Sequence, residues 1–412
     1  MKFEPIVHRI PRLRETVRNI SLTHFTNAII AFLFAASAPV AIVLGVGIKG
    51  DLSEQDIASW LFGAFVINGI LGIIISILYR QPLVFFWTIS GTVLVGPALN
   101  HLSFSEVIGA FYGTGILLIF LGITGWFKKI MSILPMPIIM AMVAGVFLGF
   151  GLDMIIAFTK DPWISIPMTL TFILLSLNVK VMVKLPPMIG VLIVGIIAIY
   201  FTETMGLIKD ATYTIITPQI YTPVFSWAAI FELVVPLAVT VLAAQNAQGI
   251  AILRNKGHKP PVNTITAACG LGSILTATFG SVSTCLTGPV NAIISSSGSI
   301  RQQYIAAIII CILAILFGLY APLFTKLMLA TPPAFIATLA GLALLRVLES
   351  AFVTSFQKRH SLGALICFLV TIADQSILNI GAPFWGLVSG LLISRLLERN
   401  DFGSLRNINE DN

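Results

Sequence analysis

Long apolar runs that do not alternate set the limits on what this chain can fold into. Stretches such as VLIVGIIAIYF (191–201) and AAIIICILAILF (306–317) recur between short polar breaks along all 412 residues. A strand of a membrane barrel alternates apolar and polar positions, so these runs read as helices. A bilayer core takes about 20 helical residues, so 412 residues hold roughly fourteen helices if the loops are short. Charge is correspondingly scarce: 10% of residues are charged and 57% are apolar, against about 25% charged in an ordinary soluble domain. That scarcity excludes a soluble enzyme, a nucleic-acid-binding protein and a disordered chain.

Reading the apolar runs between polar breaks gives fourteen segments: 24–48, 56–78, 83–99, 105–126, 130–157, 162–179, 186–203, 226–252, 261–278, 281–296, 302–322, 327–351, 361–378 and 381–397. The first resembles a secretory signal around Ala36-Ser37-Ala38. It is kept as a span because the internal repeat below requires it.

The net charge of +7 comes from 24 basic and 17 acidic residues, and its placement says more than its sum. With the N-terminus inside, nineteen basic residues fall on the cytoplasmic side: Lys2, Arg9, Arg12, Arg14, Arg18, Arg80, Lys128, Lys129, Lys180, Lys184, Arg254, Lys256, Lys259, Arg301, Lys358, Arg359, Arg395, Arg399 and Arg406. Lys49, Lys160, Lys209 and Lys326 fall outside, and Arg346 lies within a span. The bias predicts a multi-pass membrane protein with both termini cytoplasmic.

A shift of 196 superposes Pro137 on Pro333, Ala144-Gly145 on Ala340-Gly341, Leu148 on Leu344 and Leu152 on Leu348. It also superposes Asp153 on Glu349, Gly122 on Gly318, Pro187 on Pro383 and Gly190 on Gly386. The chain is therefore expected to contain two seven-segment repeats, 24–203 and 226–397, with a linker over 204–225 and tails over 1–23 and 398–412. Seven is odd, so the second copy enters the membrane from the opposite face. Inverted repeats mark secondary transporters, whose substrates bind near the midplane between discontinuous helices.

Segments 3 and 10 are short and interrupted. In segment 3, Val84 to Ile89 favours an extended backbone, after which Ser90-Gly91-Thr92 offers helix-capping chemistry. In segment 10, Ser283 and Thr284 precede Thr287-Gly288-Pro289, where Thr287 or Gly288 caps and Pro289 suits the first turn. These two triplets align at a shift of 197. Extended backbone at membrane depth is tolerated only against protein or a wet cavity. Two half-helix N-termini meeting there would favour an anion. Phe85, Phe86 and Trp87 are placed to flank an aromatic ring. In segment 8, Gln245, Asn246 and Gln248 are amides that read a carboxylate or carbonyl without burying a charge; packing glue is the plainer alternative.

At these residues the sequence resembles the benzoate transporter (BenE) family of bacterial membrane proteins. The resemblance rests on Tyr79-Arg80-Gln81-Pro82, Trp87 to Gly91, Ala244-Gln245-Asn246 with Gly249, Ala340 to Leu345, and Phe384-Trp385-Gly386-Leu387. It implies a fold like that of uracil and sulfate permeases, with a substrate-carrying core (24–126 plus 226–322) and a gate (130–203 plus 327–397). It further implies proton-coupled uptake of benzoate or similar aromatic acids, by a homodimer joined through the gates. The related nucleobase permeases carry a carboxylate in the eighth helix, where this chain has Gln245 and Asn246.

Ionisable residues within spans are functional candidates by default. Asp374 is expected deep in segment 13 with Gln375 beside it, as a proton carrier. Asp153 and Glu232 lie near helix ends and are expected to reach the interface, with Glu232 a second proton candidate. Glu349, three residues from Arg346, is expected to pair with it or to face the substrate pathway as a third proton candidate. His24 is expected to snorkel, with a place lining the inner vestibule as the alternative. Ala141, Gly145 and Gly149 suggest close packing in the gate. Cys269, Cys285, Cys311 and Cys367 read as small core residues, and no cofactor, metal site or nucleophile–base pair is indicated. The resulting expectation is an all-α secondary transporter for a small organic anion that binds at Phe86, Trp87, Ser90, Gly91, Thr92, Gln245, Asn246, Ser283, Thr284, Thr287 and Gly288. A nucleobase or inorganic-anion transporter, or an uncoupled anion channel of the same fold, stands as the alternative.

Overall fold

In a computed structural model, the structure describes residues 3–6, 11, 13–36, 38–126, 135–177, 187–202, 215–357, 359–375, 377 and 382–402. Ser37 and ten of the basic residues used for orientation lie outside them: Lys2, Arg9, Arg12, Lys128, Lys129, Lys180, Lys184, Lys209, Lys358 and Arg406.

Each expected segment has its helix. Among the described residues, seven are long and apolar enough to cross a membrane: Leu22–Lys49, Glu54–Tyr79, Phe104–Thr124, Met136–Lys160, Trp227–Asn255, Ile300–Leu319 and Pro333–Ser355. Six shorter apolar helices, including Ile89–Ala98 and Val262–Ala277, and the short helix Gly288–Ile294 complete the fourteen. Residues 327–329, expected to open segment 12, belong instead to a separate helix, Ala321–Leu329. The break falls at Thr331-Pro332-Pro333, where proline restricts the residue before it. Apolar side chains such as Ile74, Ile116, Leu170, Ile196 and Leu369 stand exposed around the bundle, as lipid contact requires.

Local chemistry explains the helix starts. Ser53 and Ser103 each open a helix with a reciprocal capping box, to Asp56 and Glu106. Segment 8 departs from regular α geometry twice, in π-helical turns over Ile230–Val234 and Thr240–Asn246. Such turns concentrate at functional sites, and these two carry Glu232, Gln245 and Asn246.

The repeat partners Gly122 and Gly318 make related contacts. A Cβ at Gly122 would lie 2.5 Å from the backbone N of Ala267 in segment 9, and one at Gly318 would lie 2.7 Å from Val66 Cγ2 in segment 2. Gly145 packs against Thr371 as expected of a small residue, whereas Gly149 meets nothing within 4 Å. Gly149 borders a cavity, so the small-residue stripe packs closely only along part of its length.

Strands β1 (Phe85–Trp87) and β2 (Thr284–Leu286) add a two-stranded sheet to the helices. They pair antiparallel, Phe85 with Leu286, Phe86 with Cys285 and Trp87 with Thr284. Each repeat contributes one strand, and a half-helix leaves each strand.

Candidate functional site

The sheet continues one bond beyond the strands at each end. Thr88 N donates to Ser283 O at 2.9 Å, and Thr287 N donates to Val84 O at 3.2 Å. Adding 199 to 88 and to 84 gives 287 and 283, so the two bonds are images of each other. The N-caps of the two half-helices, Thr88 and Thr287, are also 199 apart, which corrects the shift of 197 that set Ser90-Gly91-Thr92 against Thr287-Gly288-Pro289. The residue equivalent to Thr287 is Thr88.

Thr88 is also the N-cap of the first half-helix, in place of the expected Ser90-Gly91-Thr92. Its Oγ1 accepts from Gly91 N at 3.1 Å, and its carbonyl accepts from Thr92 Oγ1 at 2.9 Å. Thr287 occupies the N-cap of the second half-helix without a side-chain cap bond, because its Oγ1 donates to Val84 O instead. Pro289 stands in the first turn, as its fixed φ predicts.

Two buried amides hold the strands. Asn291 Oδ1 accepts from Val84 N at 3.1 Å, while its Nδ2 donates to Val84 O at 3.1 Å and to Thr287 O at 2.6 Å. Asn246 Oδ1 accepts from Leu286 N at 2.8 Å. Asn246 Oδ1 is thereby engaged with β2 backbone, while its Nδ2 lies 3.4 Å from Cys269 Sγ. Thr284 is held likewise, its N–H donating to Ser273 Oγ and its Oγ1 to Asn68 Oδ1 at 2.7 Å.

Beside the sheet lies a narrow cavity of about 30 Å³, lined by Phe34, Ala35, Pro39, Phe86, Trp87, Ile89, Gln245, Thr287, Pro289 and Val290. Phe86, Trp87, Gln245 and Thr287 of the expected site converge here. Phe85 does not: it is fully buried in a separate cluster with Leu83 and Leu286. Ser90, Gly91, Thr92, Asn246, Ser283, Thr284 and Gly288 are not among the lining residues. Gly288 lies close to the exposed Gln248 side chain, whose Oε1 would be 2.5 Å from a Cβ there.

The walls are aromatic and the free polar groups few. Phe65 backs the cavity, its ring centroid 5.0 Å from Trp87 and 5.5 Å from Phe86. Trp87 Nε1 and Ser283 Oγ are buried and find no hydrogen-bond partner among the described residues. An indole N–H without a partner is costly in an apolar setting unless a ligand or water accepts from it. The chemistry of the slot, apolar walls with an unpaired N–H and a neighbouring amide, matches a flat ring bearing an acceptor, and its walls must part to admit one.

The ionisable candidates divide. Glu232 does not reach the interface: it is 2% exposed and pairs with His101 Nε2 at 2.8 Å. His101, which sequence reasoning passed over, gives no local sign of a partner 131 residues away. Asp374 is not deep in a helix. Segment 13 ends at Ala373, and Asp374 is its left-handed C-cap, exposed at a larger cavity also lined by Lys49, Asn100, Gly149 and Pro383. Asp153 pairs with Lys49 at 2.6 Å, and Glu349 pairs with Arg346 at 2.9 Å, both in exposed settings. His24 is buried, its Nδ1 2.7 Å from Ser21 Oγ, so it does not snorkel.

Comparison with known proteins follows the same lines. A family model described as "BenE: Benzoate membrane transport protein" matches residues 18–396. The chain is 29% identical over 381 residues to the inner membrane protein YdcO of Escherichia coli K12, covering 90% of this chain and 96% of that one. It is 28% identical over 388 residues to a benzoate membrane transport protein of Acinetobacter baylyi, covering 92% and 96%. Among solved structures, the transmembrane domain of the cyanobacterial bicarbonate transporter BicA matches with a TM-score of 0.61 at 15% identity, covering 90% of this chain and 98% of that one. SLC26A9 matches with a TM-score of 0.62 at 14% identity, covering 93% and 67%. At these identities the structural likeness shows a shared fold.

Proposed function

The chain belongs to the benzoate membrane transport (BenE) family, and from that premise we propose that it imports benzoate or a similar aromatic carboxylate in symport with protons. The coarser statement is secure: it is a multi-pass membrane transporter for anions, and not an enzyme.

The observation that carries the substrate reading is the cavity beside the two-stranded sheet. Phe34, Phe86 and Trp87 offer faces and edges to an aromatic ring. Trp87 Nε1 and the Gln245 amide offer donors to its carboxylate, and the N-terminal dipole of the half-helix after Thr88 adds to them. A small inorganic anion would leave most of that apolar wall unused, which favours the aromatic acid over the inorganic alternative.

Transport in this reading is a movement of a core, 24–126 plus 226–322, against a gate, 130–203 plus 327–397. The sheet and cavity travel with the core, because both strands and segment 8 belong to it. The two gates join in a homodimer, and both termini face the cytoplasm. The test is uptake of labelled benzoate into proteoliposomes. Accumulation driven by an inward proton gradient supports the reading. Conductance without accumulation would show an uncoupled channel, and no uptake of any aromatic acid would overturn the substrate assignment.

A further inference from the structure

We propose that the buried His101–Glu232 pair is where this transporter takes up and releases its coupling proton. The inference rests on the proton-coupled reading above and names the residues that perform it.

Of the four ion pairs among the described residues, three join partly exposed groups; in the fourth, Glu232 is 2% exposed and His101 19%. A carboxylate so deeply buried is costly without a cationic partner. Imidazole is the partner that gains and loses its charge in the physiological range. With the imidazole protonated the pair is neutral; when the N–H proton leaves, a net negative charge remains in a poorly screened interior. A second anion bound in the same core is then repelled. Substrate anion and proton accordingly favour each other.

The placement of the pair supplies the link. His101 follows the half-helix that begins at Thr88, next to Trp87, and Glu232 lies on the same segment as Gln245. The two elements that line the substrate cavity at one end therefore hold the ion pair at the other. Glu232 sits inside a π-helical turn, a deformable part of its helix.

Other charges face the pair. Glu106, the capping residue of segment 4, and Asp374, at the end of segment 13, both lie within electrostatic reach of His101. Asp374 opens onto the cavity that Asn100 and Lys49 also line, and Lys49 is neutralised there by Asp153. Asn100, next to His101 in the chain, borders the same cavity as Asp374, and the His101 side chain is partly exposed where Glu232 is not.

The experiment compares wild type, Glu232→Gln and His101→Gln in proteoliposomes, with thermal unfolding as the check on folding. Benzoate exchange at equal pH on both sides reads substrate handling alone, and accumulation under an inward proton gradient reads coupling. The expected result is that Glu232→Gln, which leaves no buried anion, still exchanges benzoate while gradient-driven accumulation falls roughly tenfold or more. His101→Gln leaves the Glu232 charge without its cation, as in the deprotonated pair, so its benzoate affinity should be weak and flat with pH. Benzoate affinity in wild type should weaken as pH rises, toward the His101→Gln level. Should Glu232→Gln fail to fold, His101→Gln alone tests the pair by that weakened, flat affinity. Wild-type accumulation and pH dependence in the variants would overturn the assignment alone. A wild type that exchanges benzoate but ignores the gradient would overturn proton coupling itself.

Discussion

Asn291 clasps Val84 by both its backbone groups, accepting from the N–H and donating to the carbonyl, each at 3.1 Å. Residues 207 apart in sequence are thus joined across the midline between the two repeats. Asn291→Leu would leave the buried Val84 N–H without its acceptor, at about 1–3 kcal/mol for that group alone. A lower unfolding midpoint in detergent is expected, together with weakened benzoate binding, because the Phe86–Trp87 wall is built on this strand. Unchanged stability would show that β1 is held by its pairing with β2 alone.

Trp87→Phe tests the donor without removing the wall. Trp87 Nε1 has no partner among the described residues, so protein stability should change little. Hydrogen bonds to charged groups contribute about 1.5–3 kcal/mol, which predicts a loss of benzoate affinity of roughly tenfold or more by titration calorimetry. Gln245→Ala is expected to act in the same direction. Equal affinity in both variants would remove these residues from carboxylate recognition.

Two glycines make a matched pair of stability tests. A Cβ at Gly270 would lie 2.5 Å from Ile119 N and 2.7 Å from Gly115 O, both backbone atoms that cannot swing aside. Overpacking of this kind typically costs about 1–3 kcal/mol, so Gly270→Ala should lower the unfolding midpoint clearly. Gly149 meets nothing within 4 Å, and Gly149→Ala should leave the midpoint close to wild type.

His258 predicts a pH dependence of stability outside the spans. Burial holds its pKa below the usual imidazole value of 6.5, and its Nε2 donates to Gln303 Oε1 at 2.6 Å. Below 6.5 the unfolded chain therefore binds a proton that the folded chain resists. The stabilising contribution is complete above 6.5 and is lost as pH falls from there toward the lowered folded value. His258→Asn should show a shallower drop in unfolding midpoint between pH 7.5 and 5.5, the window of about one unit either side of 6.5. An identical slope would exclude His258 as a contributor.

The membrane spans, the two interruptions and the inverted repeat were legible because they depend on period and composition, which survive in a single chain. The register of the interruptions was not. Matching Gly91 to Gly288 suggested an offset of 197, whereas the half-helix N-caps Thr88 and Thr287 stand 199 apart. Small residues align readily by identity, but strand pairing is set by backbone geometry. The amides posed a different difficulty. Gln245 and Asn246 look alike in sequence, yet one lines the cavity and the other binds Leu286 N, a distinction made by helix rotation through a π-helical turn. Asn291 and His101 gave no signal because their partners are distant in the chain.

The sheet that joins the repeats also dictates an order of assembly. β1 is made early, and its partner lies almost 200 residues downstream. At roughly 5–20 residues per second, the first strand waits on the order of 10–40 s for the second to emerge. Throughout that interval the backbone of Val84 to Thr88 lacks the amides and carbonyls that will pair it, inside a bilayer where no lipid can substitute. Water or the translocation machinery must keep those groups company, and the carrier acquires a binding site only when its tenth segment arrives.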